Sequence, residues 1–210
     1  RLRIFLMKKL LSKLTLNQLM ILKTMKRLFD FSFSSIFLII LILPSVAIAI
    51  IIKLTSKGNI IYWSDRVGRD NVIFKMPKFR TMKIDTPELA SHLLINSSEV
   101  LTPVGNFLRK YSFDEIPQIW SILKGDMSFV GPRPALFNQY DLIKLRTAHG
   151  VEKILPGLTG WAQINGRDDL PIIEKVNKDK EYLVNHSFLL DSKILWLTIL
   201  RVIKKDGVSH

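Results

Sequence analysis

From Phe31 to Ile52 the chain runs for 22 residues without a charge, bounded by Asp30 and Lys53. No other feature limits the fold as strongly, because so long an apolar run is the signature of a membrane element. At about 1.5 Å per residue, a straight helix of this length just crosses a hydrocarbon core of roughly 30 Å. Pro44 stands inside the run with Ser45 behind it. A proline there removes a backbone donor and crowds the preceding turn, so a break at Pro44 is expected. Phe31–Leu43, 13 residues, reaches only about 20 Å and is too short to cross. The basic residues are balanced as well, with eight between Arg1 and Arg27 and eight between Lys53 and Lys83. A crossing helix carries an excess of Lys and Arg on its cytoplasmic side. A helix that enters one leaflet, breaks and returns fits both observations, and a single kinked transmembrane helix is the competing reading. Ala47-Ile-Ala49 is like a signal-peptide cleavage site, but the apolar stretch outlasts a usual h-region.

Three parts are therefore expected: a basic extension over residues 1–24, a membrane-embedded helix over 25–57 and a catalytic domain over 58–210 at the membrane surface. The extension sets Lys8, Lys9, Lys13 and Lys23 among apolar residues and reads either as an interfacial helix or as dispensable. The 31 Lys and Arg against 18 Asp and Glu give a net charge of +13, which calls for an anionic partner. Nucleic acid, anionic headgroups and a diphosphate all satisfy that. Nucleic acid is disfavoured, since aromatic residues do not interleave with the basic ones and no reading motif is present. Cysteine is absent, which excludes thiolate chemistry, and the four histidines show no metal-ligand spacing.

In the second half, Ile60–Ser64 and Val72–Met76 read as strands of a hairpin turning at Gly68-Arg-Asp-Asn71. Continued extension would put Lys78 and Arg80 on one face, either to hold a diphosphate or to blunt a sheet edge. Thr102–Lys110 reads as a turn into a short basic helix. Asp114 and Glu115 then stand side by side, with Pro117 opening a helix that Gly125 stops. Ser112 and Glu115 have capping-box spacing, and capping is the commoner use of acids so placed. The other use is chemical: a carboxylate nucleophile, a carboxylate for a hard metal ion and an arginine for phosphate oxygens make up a phosphoryl-transfer site. Arg133, set between Pro132 and Pro134, supplies a stiffly presented guanidinium. Pro156–Arg167 is a second glycine-rich loop ending in arginine and matches no nucleotide fingerprint. Phe188–Ile203 reads as a helix with a wide apolar face, which either packs inside the domain or lies at the headgroup level with Trp196 as an anchor, the second being preferred.

Taken together, Lys26-Arg27, Lys78-Phe-Arg-Thr-Met82, Ser112-Phe-Asp-Glu-Ile-Pro-Gln118, Lys124-Gly-Asp-Met-Ser128, Gly131-Pro-Arg-Pro134 and Pro156-Gly-Leu-Thr-Gly-Trp161 resemble the bacterial sugar transferase family. These small monotopic phosphoglycosyl transferases begin capsule, O-antigen, exopolysaccharide and glycoprotein glycan assembly. Phe113 and Ile116 replace the leucines usual around the acidic pair, and no charged group is lost. The multi-helix region of long-form relatives is missing, which suggests the minimal catalytic form. The resemblance implies an α+β fold: a mostly helical small domain with a β-hairpin, a re-entrant N-terminal membrane helix and interfacial amphipathic helices. It implies transfer of a sugar-1-phosphate from a UDP-sugar to undecaprenyl phosphate, with release of UMP. Asp114 would be the nucleophile, Glu115 would hold Mg²⁺ and Arg133 would stabilise phosphate. Lys78, Arg80, Asp126 and Arg167 are further substrate-binding candidates. The setting implied is the cytoplasmic membrane, with the domain on its cytoplasmic face among membrane lipids and a homodimer as an open option. The sugar is not legible. The alternative is a basic, membrane-attached module that binds anions without catalysis.

Overall fold

The computed structural model describes residues 21, 23–84, 86, 100–166 and 170–204. The extension over 1–24 lies almost wholly outside the described residues, and Arg167 lies outside them too. Helix α1 spans Lys23–Ile40 and α2 spans Ile42–Thr55, meeting at a bend of 58°. Neither helix alone is long and apolar enough to cross a membrane, although the bent pair passes by length and composition. The interruption falls at Leu41, three residues before Pro44. The proline ring at 44 would crowd the carbonyl of residue 40, so α1 must end before it. Pro44 instead occupies the first turn of α2, where a missing N–H costs little.

Strands β1 (Ile61–Val67) and β2 (Ile73–Phe79) form the expected hairpin, in register Ile61 with Phe79 and Val67 with Ile73. Both strands are longer than alternation alone indicated. The turn uses positive φ at Asp70 and Asn71, which short polar side chains tolerate. β4 (Ala135–Leu136) adds to β1 on the other side, giving the antiparallel order β2-β1-β4. Pro77 therefore lies in an edge strand, where a missing donor is tolerated. β3 (Ser128–Val130) and β5 (Gly157–Thr159) form a separate parallel pair.

The helices are α3 (Gly105–Lys110), α4 (Ile119–Lys124), α5 (Tyr140–Ala148), α6 (Ile172–Asn185) and α7 (Phe188–Lys204). Met76, Ile122, Met127, Phe129, Tyr182 and Ile194 fill the main core. Ile194 thereby ties α7 to the domain, while Phe188, Leu189, Trp196 and Ile199 on the same helix stay exposed. A second cluster packs Ile52 of α2 onto Phe79 and Leu108.

The polar residues of α1 form a seam with the domain. Arg27 donates to the carbonyls of Ile122 and Leu123, at 2.6 Å each, and so caps α4. Lys26 pairs with Asp191 of α7, whose other oxygen accepts from the Tyr182 hydroxyl. Asp30, buried, accepts from the backbone N–H of Phe129 at 3.1 Å. At the other end, Arg80 donates to the carbonyls of Ser56 and Lys57 just past α2. One globular body thus holds both ends of the bent pair. Asp30→Ala would leave the Phe129 N–H buried without its acceptor, and a loss of about 1–3 kcal/mol is expected. Thermal unfolding of the detergent-solubilised protein measures it; an unchanged melting temperature would mean the seam contributes nothing.

Candidate active site

The chemistry-bearing residues converge where β2 meets the turn before α4. Residues Phe113–Gln118 form a 3₁₀ turn that runs straight into α4, and Gly125 ends that helix at φ 102° as expected. Ser112 enters the turn in the left-handed region, at φ 56°, and makes no side-chain cap. The capping box suggested by the spacing of Ser112 and Glu115 is therefore absent. Glu115 faces the hairpin instead. Its Oε1 accepts from Lys78 Nζ at 2.8 Å and lies 3.6 Å from Arg133 Nη2. Lys78 Nζ is also 3.9 Å from Asp114 Oδ2.

Asp114 is 8% exposed, a depth at which a carboxylate keeps its charge poorly. Burial pushes its carboxyl up to about 6 from 3.8. Lys78 opposes that rise, Glu115 adds to it, and Arg109 and Arg133 pull it down. The outcome is an acid poised to ionise near neutrality, facing cations. Burial raises Asp179 and Asp30 as well, and Asp114 differs from them in standing beside a second carboxylate, Glu115, with Lys78 within 3.9 Å.

The loop carrying Arg133 is fixed by its carbonyls. Pro132 O accepts from Gly157 N at 2.8 Å, Arg133 O from Arg146 at 2.8 Å and Pro134 O from Arg66 at 3.2 Å. Arg146 is itself oriented by Asp179 of α6, with contacts of 2.9 and 2.7 Å between two buried side chains. The second glycine-rich loop supports the same structure. A Cβ on Gly157 would lie 2.1 Å from Gly131 N, and one on Gly160 would lie 2.0 Å from Gly131 O. Only glycines allow so close an approach of two backbones. Pro156–Gly160 thus braces the arginine loop.

Arg80 and Asp126 lie apart from this cluster. Arg80 is buried, and its guanidinium donates to the Ser56 and Lys57 carbonyls just past α2 and not toward Glu115. Asp126 stands past the far end of α4 and pairs with Lys124 at 3.0 Å. Arg66 had no signal of its own and Gln118 only its place in the Ser112–Gln118 motif, yet both line a small cavity together with Lys78, Glu115 and Arg133. A buried glutamine on the Glu115 face of the turn was the available clue.

Among the described residues no group of three or more acids or histidines could hold a metal ion. The adjacent carboxylates nevertheless suit Mg²⁺, which takes hard oxygens, often one or two carboxylates with phosphate oxygens and waters. Glu115 Oε1 already accepts from Lys78, so such an ion would share this carboxylate with the lysine.

Two adjacent acids facing Lys78 of β2 and Arg133 of the proline loop are the kinds of group that phosphoryl transfer uses. Residues 21–205 match the model of the family described as bacterial sugar transferase, and the chain belongs to that family. It is similar to "Uncharacterized sugar transferase EpsL" of Bacillus subtilis (strain 168), 39% identical over 190 residues, covering 89% of this chain and 91% of the relative. It is 37% identical over 187 residues to the UDP-glucose:undecaprenyl-phosphate glucose-1-phosphate transferase of Escherichia coli (strain K12), covering 85% and 40%. It is 35% identical over 202 residues to the undecaprenyl-phosphate galactose phosphotransferase of Salmonella typhimurium, covering 87% and 41%. The chain spans nearly all of the first relative and about two-fifths of the other two.

The sign of the Asp114 shift carries a prediction. Between pH 3.8 and about 6 the folded protein binds a proton that the unfolded chain has lost. Stability therefore falls as pH rises through that window, by roughly 3 kcal/mol in total for a shift of this size. Asp114→Asn removes the titration. The variant is expected to be more stable than the parent at pH 8, with the gap closing toward pH 4. Denaturant titrations at the two pH values measure it, and a gap independent of pH would mean that the carboxyl titrates normally.

Proposed function

We propose that this chain transfers a sugar-1-phosphate from a UDP-sugar to undecaprenyl phosphate, releasing UMP. In the first step an Asp114 oxygen attacks the sugar-proximal phosphorus. The bond from that phosphorus to the bridging oxygen breaks, and UMP leaves with the electron pair. Asp114 then carries the phosphosugar as an acyl phosphate. In the second step a lipid phosphate oxygen attacks the same phosphorus, the aspartyl bond breaks and the carboxylate is regenerated. The observation that carries this reading is the buried Asp114, its carboxyl raised to about 6 with Lys78 and Arg133 nearby. Lys78 and Arg133 offset charge on the phosphoryl oxygens, and Arg133 presents a planar fork to them. Mg²⁺, held by Glu115 with Asp114 beside it, would supply further charge neutralisation on the diphosphate. Arg167 is retained as a nucleotide contact. The relatives support this choice of donor and acceptor: the E. coli protein is named for transfer of glucose-1-phosphate from UDP-glucose to undecaprenyl phosphate, and the Salmonella protein as an undecaprenyl-phosphate galactose phosphotransferase.

With a lipid phosphate as acceptor, the proposed setting is the cytoplasmic membrane, with the domain on its cytoplasmic face, where a soluble nucleotide donor is available. The bent pair is its anchor, and a dip into one leaflet is supported by the attachment of both its ends to one body. Leu38, Ile39, Ile40, Ile42 and Leu43 at the bend are exposed, as a buried tip requires.

Two measurements test this reading. Asp114→Asn should abolish exchange of labelled UMP into the UDP-sugar, and a phosphosugar adduct on residue 114 should be trapped in the parent. Exchange persisting in the variant would assign the nucleophile elsewhere. Single cysteines at residues 24 and 57 should react with an impermeant reagent from the same side of a sealed vesicle, whereas labelling from opposite sides would establish a crossing.

A further inference from the structure

Gln118 ends the 3₁₀ turn that carries the acidic pair, three residues after Glu115. In a 3₁₀ helix residues three apart eclipse one another, so Gln118 and Glu115 share one face. The residue is 3% exposed, and its Nε2 is buried without a hydrogen-bond partner among the described residues. A buried donor left without an acceptor costs about 1–3 kcal/mol. Arg80 Nε and Glu152 Oε2 are also buried without a partner among the described residues, and Gln118 differs from them in lining the cavity beside Glu115. The surroundings indicate the missing acceptor. The cavity holds about 10 Å³ and is lined by Arg66, Lys78, Arg133 and Glu115 as well as Gln118, three cations to one acid. It is room for one oxygen atom rather than a whole phosphate or sugar ring. Three cations select that oxygen to be anionic.

We infer that Gln118 is a substrate-binding residue whose Nε2 donates to one phosphoryl oxygen of the nucleotide-sugar diphosphate, the oxygen entering this cavity from its mouth. The inference rests on the UDP-sugar reading above and adds a contact to it. A carboxamide is suited to this position because it supplies a hydrogen bond without adding a fourth cation beside Lys78, where each further positive charge would be costly to desolvate. The energy of the unmet donor is then recovered only when the ligand is bound, which directs it to recognition rather than to folding.

The test uses the full chain in detergent or nanodiscs, with UDP as the probe, and compares the parent with Gln118→Met and Gln118→Glu. Methionine nearly conserves volume and removes the unmet donor. The Met variant should melt at the parent's temperature or above it while binding UDP about 10- to 100-fold more weakly, the range for losing a hydrogen bond to a charged group. The Glu variant keeps the shape, replaces the donor with an acceptor, and should bind UDP more weakly still at pH 8. Equal UDP affinity in the parent and the Met variant would overturn the assignment, including the case in which only the KM for the UDP-sugar rises because the contact is to a sugar hydroxyl. A Met variant that melts well below the parent would also overturn it, since the amide would then be satisfied inside the protein by a buried water. A parent that binds no UDP and releases no UMP from any UDP-sugar would sink the donor reading itself, a result distinguishable from failure at Gln118 alone.

Discussion

A carboxylate nearly sealed from water stays ionised only where cations face it, and the domain is arranged around meeting that condition for Asp114. Each cation comes from a different part of the fold: Lys78 from the hairpin edge, Arg133 from the proline loop and Arg109 from α3. None is near the acid in sequence by more than local accident except Arg109. The site therefore exists only when the antiparallel sheet, the parallel pair and the 3₁₀ turn are all in place. Lys78 still leaves the balance short, and the carboxyl remains raised.

Much of this was readable in the residues, and the failures share a cause. The hairpin, α3, α7 and the stop at Gly125 carry local signals: alternation, a turn, an apolar stripe, a left-handed glycine. Asp114, Glu115, Lys78 and Arg133 were legible because their types suit one chemistry, and the structure brings these four together. The β3–β5 pair was not legible, since three-residue strands are too short for periodicity and their partners lie far along the chain. Helix α6 hides its inner face because a buried aspartate, Asp179, sits among Val176 and Tyr182 where an apolar residue would mark the period. Spacing misled twice. Ser112 has the right residue type for a cap and the wrong backbone, and Arg80 is taken up by carbonyls at the end of α2, far along the chain from it.

The N-terminal basic pair illustrates a different limit. Counted as charges, Lys26 and Arg27 balance those following the apolar run and so bear on topology. In the fold they are spent on Asp191 and on the last carbonyls of α4. A charge engaged in a packed seam says little about which side of a bilayer it prefers. The attachment of both helix ends to the domain is a stronger argument on that question than any count of lysines.

The held carbonyls of Pro132, Arg133 and Pro134 have one more effect. A backbone pinned at three consecutive peptide units cannot drift, so the Arg133 guanidinium moves only by turning about its own side-chain bonds. The reach of its fork is thus set by the rotamers of one side chain swung from a fixed foot, and not by motion of the loop that carries it.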